Sequence, residues 1–326
     1  MANDPGLTND TCIFMEAISG DKGNHDSNNV WWLSPDISLV GPVSGADNAD
    51  AGQINPVQVK FHRKPANSNC HFPGDEGITV ELWVANPSLV MAPRVRGSAT
   101  RVGFIGSFLP AEGGTGTQQI DWDLPVATLP DDPQSPGHKC LIARCYPDSG
   151  APANTSFFVP GDQHVAQHNL CIVTTTAHGL TFKVNTLNPS VIVSPPPDQQ
   201  VKVRAVLDLR PIEFVHRLVL KRLQSVAGFT QLRTTPLPLG FKFDLTGFHS
   251  GQVVDHSNSG VLNPFPPNTN PSFEALIALE QRQVHQLTFL ADLKGAQSGE
   301  ACIFQLTQTS VNGSAEGGLT LVALKL

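Results

Sequence analysis

VWWLSPDISLV at residues 30–40 and GQINPVQVKF at residues 52–61, joined by a Gly- and Asp-rich loop, decide the fold of this chain. Both runs read as β-strands, and the loop between them carries little that could be buried. Two strands joined this way belong to a β-sandwich rather than to a catalytic α/β scaffold.

Working outward, period-two segments alternate with Gly/Pro/Asn loops. Strands are expected at Thr11–Ile18, Trp31–Val40, Val57–His62, Thr79–Ala85, Thr100–Phe108, Gln118–Leu124, Lys139–Tyr146 and Asn169–Thr175. In ITVELWVANPS, Val80, Leu82 and Val84 point one way and Thr79, Glu81 and Trp83 the other, which predicts one solvated face. So many strands with no intervening helix fit a sandwich and not a βαβ fold. The segment TTTAHG followed by SPPPDQQ changes character, because a proline run cannot sit inside a central strand. The boundary is therefore placed near Ala177, giving domains 1–177 and 178–326. In the second domain PIEFVHRLVLKRLQSV, residues 211–226, is the best helix: Pro211 suits its first position, Ile212, Val215, Val219, Leu223 and Val226 form one stripe, and Gly228 stops it. FEALIAL is assigned to strand because VHQLTFLADL continues at period two. The fold class predicted is all-β, two antiparallel immunoglobulin-like β-sandwich domains, with one helix around 211–226.

The order WxSPDI, loop, GQxNxVxVxxH, carried by Trp32, Ser34, Pro35, Asp36, Ile37, Gly52, Gln53, Asn55, Val57, Val59 and His62, resembles the immunoglobulin-like modules of bacterial extracellular and accessory proteins of the adhesion-related CARDB type. The resemblance covers roughly the first half of the chain. Pro56 departs from it, standing where Val or Tyr commonly follows the Asn. It implies a binding or structural module attached to something else, and no catalytic residues.

Composition excludes several partners. At 326 residues the chain exceeds what one core usually serves. Charged residues make up 15%, well below the usual quarter, so the surface is covered by Ser, Thr, Asn, Gln, Gly and Pro instead. A net charge of -7 argues against nucleic acid, whose phosphates draw clustered Lys and Arg. The nearest basic group, Arg217, Lys221 and Arg222, reads as the solvated face of the helix. No run of about 18 apolar residues exists, so no membrane span is expected. MANDPGLTNDT carries neither the basic nor the apolar region of a signal peptide, leaving cytoplasmic synthesis with leaderless export, or a mature extracellular form, as the expected localisations. Cys12, Cys171 and Cys302 sit in apolar runs and read as buried thiols, and Cys140 and Cys145, five apart on a strand, face opposite ways. Sequons begin at Asn9, Asn154 and Asn312.

Catalytic templates fail one by one. G-x-S-x-G is absent. Ser250 lies beside His249 and near Asp255, but adjacent strand residues point apart. His164 and His168 in DQHVAQHN lack the Glu of HExxH and read as a polar loop. EGGTGTQ has no GK[ST] and reads as a hairpin turn, and Asp121 and Asp123 share one exposed strand face around Trp122. Asp21, Asn24, Asp26 and Asn28 are oxygen ligands suited to calcium, set against the simpler reading of an Asx-turn loop. No other cofactor is expected. Trp31, Trp32 and Trp122 are the ligand or interface candidates: consecutive tryptophans on a strand face opposite sides, so one must be covered by a loop, a subunit or a sugar. The leading expectation is a non-enzymatic structural or interaction protein, with protein partners or self-association in an oligomeric or extracellular assembly. The alternatives are a carbohydrate- or calcium-dependent binding module and a hydrolase with an unrecognised site.

Overall fold

The computed structural model describes residues 11–25, 30–40, 49–66, 68–70, 77–93, 95–124, 139–148, 157–189, 199–237, 241–244, 253–255, 271–280 and 283–326. These fall into two compact units. The first holds the described residues up to Asn169 apart from Pro87–Val90; the second holds Pro87–Val90 and the described residues from Leu170 onward.

The first unit contains β1 (Ile13–Phe14), β2 (Ile37–Leu39), β3 (Gln53–Arg63), β4 (Ile78–Ala85), β5 (Thr100–Ser107), β6 (Thr115–Leu124), β7 (Cys140–Pro147) and β8 (Val165–His168). One sheet centres on β3, with β6 along one side and the short β1 and β2 sharing the other; the second sheet runs β5-β4-β7-β8. Every pairing in this unit is antiparallel. Val57, Val59, Phe61, Ile120 and Trp122 from the first sheet meet Val80, Leu82, Ala143 and Cys145 from the second in one buried cluster. The two-residue period of the strands produces this directly, since alternate side chains of β3 and β4 point between the sheets.

The second unit contains β9 (Leu170–Thr175), β10 (Gly179–Leu187), β11 (Gln199–Leu207), α1 (Glu213–Leu223), β12 (Gln231–Leu232), β13 (Phe241–Asp244), β14 (Val253–Asp255), β15 (Ser272–Leu279), β16 (Val284–Asp292), β17 (Glu300–Ser310) and β18 (Ala315–Lys325). One sheet runs β10-β16-β13 and the other β14-β15-β11-β17-β18-β9, with β12 beside β17. All pairs are antiparallel except β9 with β18 and β12 with β17. Phe241, Phe289 and Phe304 form a cluster with ring centroids 5.1–5.9 Å apart. The strand assignment of FEALIAL holds as β15, whose alternate residues are buried.

The all-β sandwich class and the single helix agree with the sequence reading, while several details differ. The helix begins at Glu213 with Ile212 as its cap, so Pro211 stands before it instead of opening it. Val215, Val219 and Leu223 form the buried stripe, but Ile212 is 43% exposed, and Arg222, read as solvated, is buried. The helix ends at Leu223 with Gln224 as a right-handed cap whose N–H bonds the Leu220 carbonyl, so Gly228, at φ +86°, turns the chain four residues past the cap and does not itself stop the helix. Thr11–Ile18 and Trp31–Val40 form only the short β1 and β2. The segment read as a polar histidine loop is β8, paired with β7. Cys12 is not a free thiol: it is bonded to Cys70, with Cα atoms 5.0 Å apart. Cys140, Cys145, Cys171 and Cys302 are buried thiols outside any disulfide. The proline run at 194–198 and the sequons at Asn9 and Asn154 lie outside the described residues.

One glycine is dictated by packing. A Cβ at Gly317 of β18 would lie 1.9 Å from the carbonyl oxygen of Leu89, which is backbone and cannot swing aside. Gly317→Ala is therefore expected to destabilise the second unit by about 1–3 kcal/mol, the usual cost of overpacking. Gly106→Ala, with no atom within 4 Å of the added methyl, should change stability by no more than about 0.5 kcal/mol. Urea unfolding of both variants, followed by circular dichroism, checks the difference.

Candidate functional site

Three side chains remote in sequence converge on Asp36 in the first unit. Glu16 follows β1, Asp36 precedes β2 and His62 lies near the end of β3; the pairings of Phe14 with His62 and of Ile37 with Val59 bring them together. Asp36 is buried, and its carboxylate accepts the Glu16 backbone N–H at 2.6 Å. His62 Nε2 lies 3.1 and 3.0 Å from the two carboxylate oxygens. Its Nδ1 is 2.9 Å from the Thr115 hydroxyl, and the ring stacks on Phe14 at 5.1 Å. The Ser34 hydroxyl donates to the Glu16 carbonyl at 2.5 Å and accepts the Asp36 N–H at 3.0 Å, closing the turn before β2. Burial pulls the His62 imidazole down, but the bond and charge of Asp36 outweigh it, so the ring titrates above its ordinary 6.5. One ligand atom from each of Glu16, Asp36 and His62 lies within 4.8 Å of the others. The cluster was not foreseen as a site, although Asp36 and His62 both carry the family resemblance. The signal available in sequence was S-P-D ahead of a strand, and nothing in it pairs positions 16, 36 and 62.

The oxygen-rich loop reads differently. Asp21 accepts the backbone N–H groups of Ala17 at 2.9 Å and Ile18 at 3.0 Å on one carboxylate oxygen, and that of Gly23 at 2.9 Å on the other. That is an Asx-type turn, with the carboxylate committed to backbone donors. Asn24 is exposed. Asp26 and Asn28 lie outside the described residues. His25 is held by the carbonyls of Met15 and Val159 at 2.9 and 2.5 Å.

The tryptophans are all packed inside the first unit. Trp31 and Trp32 sit in a turn and not on a strand, because the Asn169 N–H bonds the Trp32 carbonyl and the Ser34 N–H bonds the Gln167 carbonyl, drawing the segment onto β8. The constraint that neighbouring strand residues face opposite sides therefore does not apply. Both rings are buried edge to face, with centroids 5.4 Å apart. Trp122 belongs to the core between the sheets, with Asp121 and Asp123 exposed on the other face of β6. No face of the three rings is open for a sugar to stack on.

The two histidines near β8 serve different partners. His168 Nδ1 lies 3.0 Å from the Ser34 carbonyl, and burial pulls its imidazole down despite that bond. His164 joins the Thr11 hydroxyl at Nε2 and Asp162 at Nδ1, the latter at 2.8 Å. Burial raises the Asp162 carboxyl, and the His164 bond and charge outweigh it, leaving the group below the usual carboxylate range. Hydroxyl, imidazole and carboxylate stand in the order of a nucleophile relay. However, His164 is fully buried and the Gln163 amide donates to the Thr11 carbonyl at 2.8 Å, so the arrangement ties residues 11–13 to 162–164. Of the other relay candidates, His249 and Ser250 lie outside the described residues and Asp255 ends β14.

The face of β4 read as solvated is covered. Glu81 and Trp83 are buried, and Glu81 accepts Arg144 Nη2 at 2.6 Å and Nε at 3.0 Å, Trp83 Nε1 at 3.1 Å, Tyr146 Oη at 3.1 Å and Arg101 Nη1 at 3.2 Å. The Arg144 guanidinium lies over Phe157 at 5.2 Å and Trp83 at 5.5 Å. Beside this network β5 ends its sheet, with no hydrogen-bonded strand on its outer side among the described residues, although Ile120 of β6 packs against Gly103 and the Gln118 amide donates to the Ser107 hydroxyl. Phe104 is 64% exposed, Ile105 37% and the following Phe108 92%.

No family model matches the chain, so the CARDB-type resemblance stands as a resemblance, and no curated protein sequence matches it significantly. Among solved structures, the collagen adhesin of S. aureus aligns at 8% identity over 89% of this chain and 93% of its own, with a TM-score of 0.20. The CupB6 tip adhesin of Pseudomonas aeruginosa aligns at 10% identity over 88% and 95%, with a TM-score of 0.16. The partial N-terminal region of the enterococcal surface protein aligns at 9% over 100% and 98%, with a TM-score of 0.22. Scores this low assign neither fold nor function.

The Glu81 network is directly testable. Burial raises the Glu81 carboxyl, but the Arg144 charge and hydrogen bonds overcome this and hold it below its ordinary 4.5. A depressed carboxyl stabilises the fold above the unfolded-state value and stops doing so as pH falls through the folded one. Glu81→Gln leaves Arg144 as an uncompensated buried charge, an expected loss of about 3–5 kcal/mol at pH 7. The gap to the parent chain should narrow as pH drops below 4.5. Denaturant unfolding followed by tryptophan fluorescence reports on this unit, since all 4 tryptophans belong to it.

Proposed function

We propose that the chain is a non-enzymatic structural or interaction module that associates edge to edge with a second copy of itself through β5. The observation carrying this reading is that β5 leaves one row of backbone N–H and C=O groups without a strand partner among the described residues, beside the exposed side chains of Phe104, Ile105 and Phe108. Sheet edges in monomeric proteins are normally blunted by charge, proline or a covering loop. TRVGFIGS carries one charge, Arg101, and that guanidinium is engaged with Glu81 at 3.2 Å.

The strand is also self-complementary. Two copies paired antiparallel about Phe104 set Val102 against Gly106, Gly103 against Ile105 and the two Phe104 side chains against each other. No like charges meet, and an aromatic pair directly opposite is a favourable cross-strand arrangement. The Cys12–Cys70 bond supports placing the assembly in an oxidising, extracellular-type compartment, where such bonds persist.

Light scattering coupled to size-exclusion chromatography should return a mass that rises with concentration to the dimer. Replacing both Phe104 and Ile105 by Lys should weaken association by at least about tenfold, or ~1.4 kcal/mol, with the thermal midpoint retained because both side chains are exposed. A strictly monomeric parent chain at the highest attainable concentration overturns the reading.

A further inference from the structure

We propose that Glu16, Asp36 and His62 form a divalent transition-metal site of zinc type, with Nε2 of His62 and one oxygen from each carboxylate as ligands. The donor set comes from three segments that only the tertiary fold brings together, and its ligand atoms already lie within 4.8 Å of one another. Two carboxylates converging on one imidazole nitrogen concentrate negative charge at a point that only a cation, a proton on the ring or a metal, can occupy. Asp36 faces Nε2 with both oxygens at nearly equal distance, 3.1 and 3.0 Å, so a small ion between them meets an acceptor on either side.

The surroundings match what a metal-binding histidine requires. Its Nδ1 is fixed 2.9 Å from the Thr115 hydroxyl, which selects the ring orientation and aims Nε2 at the carboxylates. Such an outer partner on the second nitrogen is the general feature of metal-ligating histidine. Phe14 stacked at 5.1 Å prevents the ring from turning away. Asp36 is anchored by the Glu16 N–H and its turn by Ser34, so the first ligand is preorganised. One Glu16 oxygen accepts the Gly20 N–H at 3.0 Å, which leaves the other to complete the set. Glu16 and His62 are only partly buried, giving an ion a path in from solvent. Three protein ligands of mixed N and O type leave a fourth tetrahedral position for water, the pattern of open zinc sites, whereas calcium would call for more oxygens and no imidazole. Lys60, whose charge acts on His62, opposes a metal there.

Zinc chloride titrated by calorimetry into the intact chain, stripped with EDTA and dialysed, tests this. One equivalent should bind, and the thermal midpoint should rise with zinc concentration as expected for a ligand of the native state. Cobalt in place of zinc should give visible ligand-field bands of N/O coordination without the intense thiolate charge-transfer band. His62→Gln and Glu16→Gln should each weaken binding at least tenfold. Glu16→Gln serves as the second variant because it retains an acceptor for Gly20, and its midpoint in EDTA should equal that of the parent. Absence of zinc binding, or affinity unchanged in both variants, overturns the assignment.

Discussion

A charged carboxylate inside a β-sandwich must be met by donors, and the way Asp36 is met holds one end of the first unit together. β1 has two residues and β2 three, too few ladder bonds to fix either against β3 by themselves. Asp36 supplies the missing constraint: one group binds the backbone after β1 through the Glu16 N–H and the side chain of β3 through His62. The neighbouring turn acts in the same way, since Asp21 collects three further backbone donors from residues 17–23. The disulfide from Cys12 to Cys70, across a separation of 58 residues, adds a covalent tie at the same end of the chain.

Three buried carboxylates meet three kinds of partner. Asp36 faces an imidazole, whose titration it raises. Glu81 faces two guanidiniums, and the charge of Arg144 overcomes burial to keep it ionised to lower pH. Among the described residues Glu316 in the second unit is met by the neutral amides of Gln199 at 2.7 Å and Gln308 at 2.9 Å, and there burial prevails and raises the carboxyl. Side-chain accessibility alone would rank the three alike. The opposite signs at Glu81 and Glu316 follow from whether the donor carries a full charge.

The regular part of the fold was legible because it rests on a local signal. Period-two burial along β3, β6 and β15 is written in the order of apolar residues, and the stripe Val215, Val219, Leu223 is written at helical spacing. What could not be read depends on contacts distant in sequence. Trp31 and Trp32 look like strand residues until the Asn169 and Gln167 backbones draw them into a turn. VAQH looks like a loop until β7 pairs with it and the Ser34 carbonyl takes His168. Glu81 and Trp83 look solvated because the pattern records alternation but not what covers the second face; Arg144, 63 residues away, does so. The same reasoning applies to the Asp36 cluster, whose members lie 20 and 26 residues from one another. Their chemistry is visible in the letters, and their convergence exists only in the fold.

The edges of the first unit are protected unequally, and that inequality carries functional weight. β8 is capped by the isolated bridge from Leu33 to His168. β6 presents Asp121 and Asp123 on its exposed face, charges that discourage a neighbouring strand. β5 has neither of these, although a bulge at Val102 interrupts its ladder with β4 and Ile120 of β6 lies against Gly103. A chain whose surface carries so little charge cannot rely on long-range repulsion to keep such an edge solitary. Selection against aggregation would ordinarily place a Lys or Pro there. Instead the single cation, Arg101, reaches from the edge to Glu81 at 3.2 Å and lies over the Phe104 ring at 5.0 Å, which ties the edge to the most strongly hydrogen-bonded carboxylate of its own sheet among the described residues.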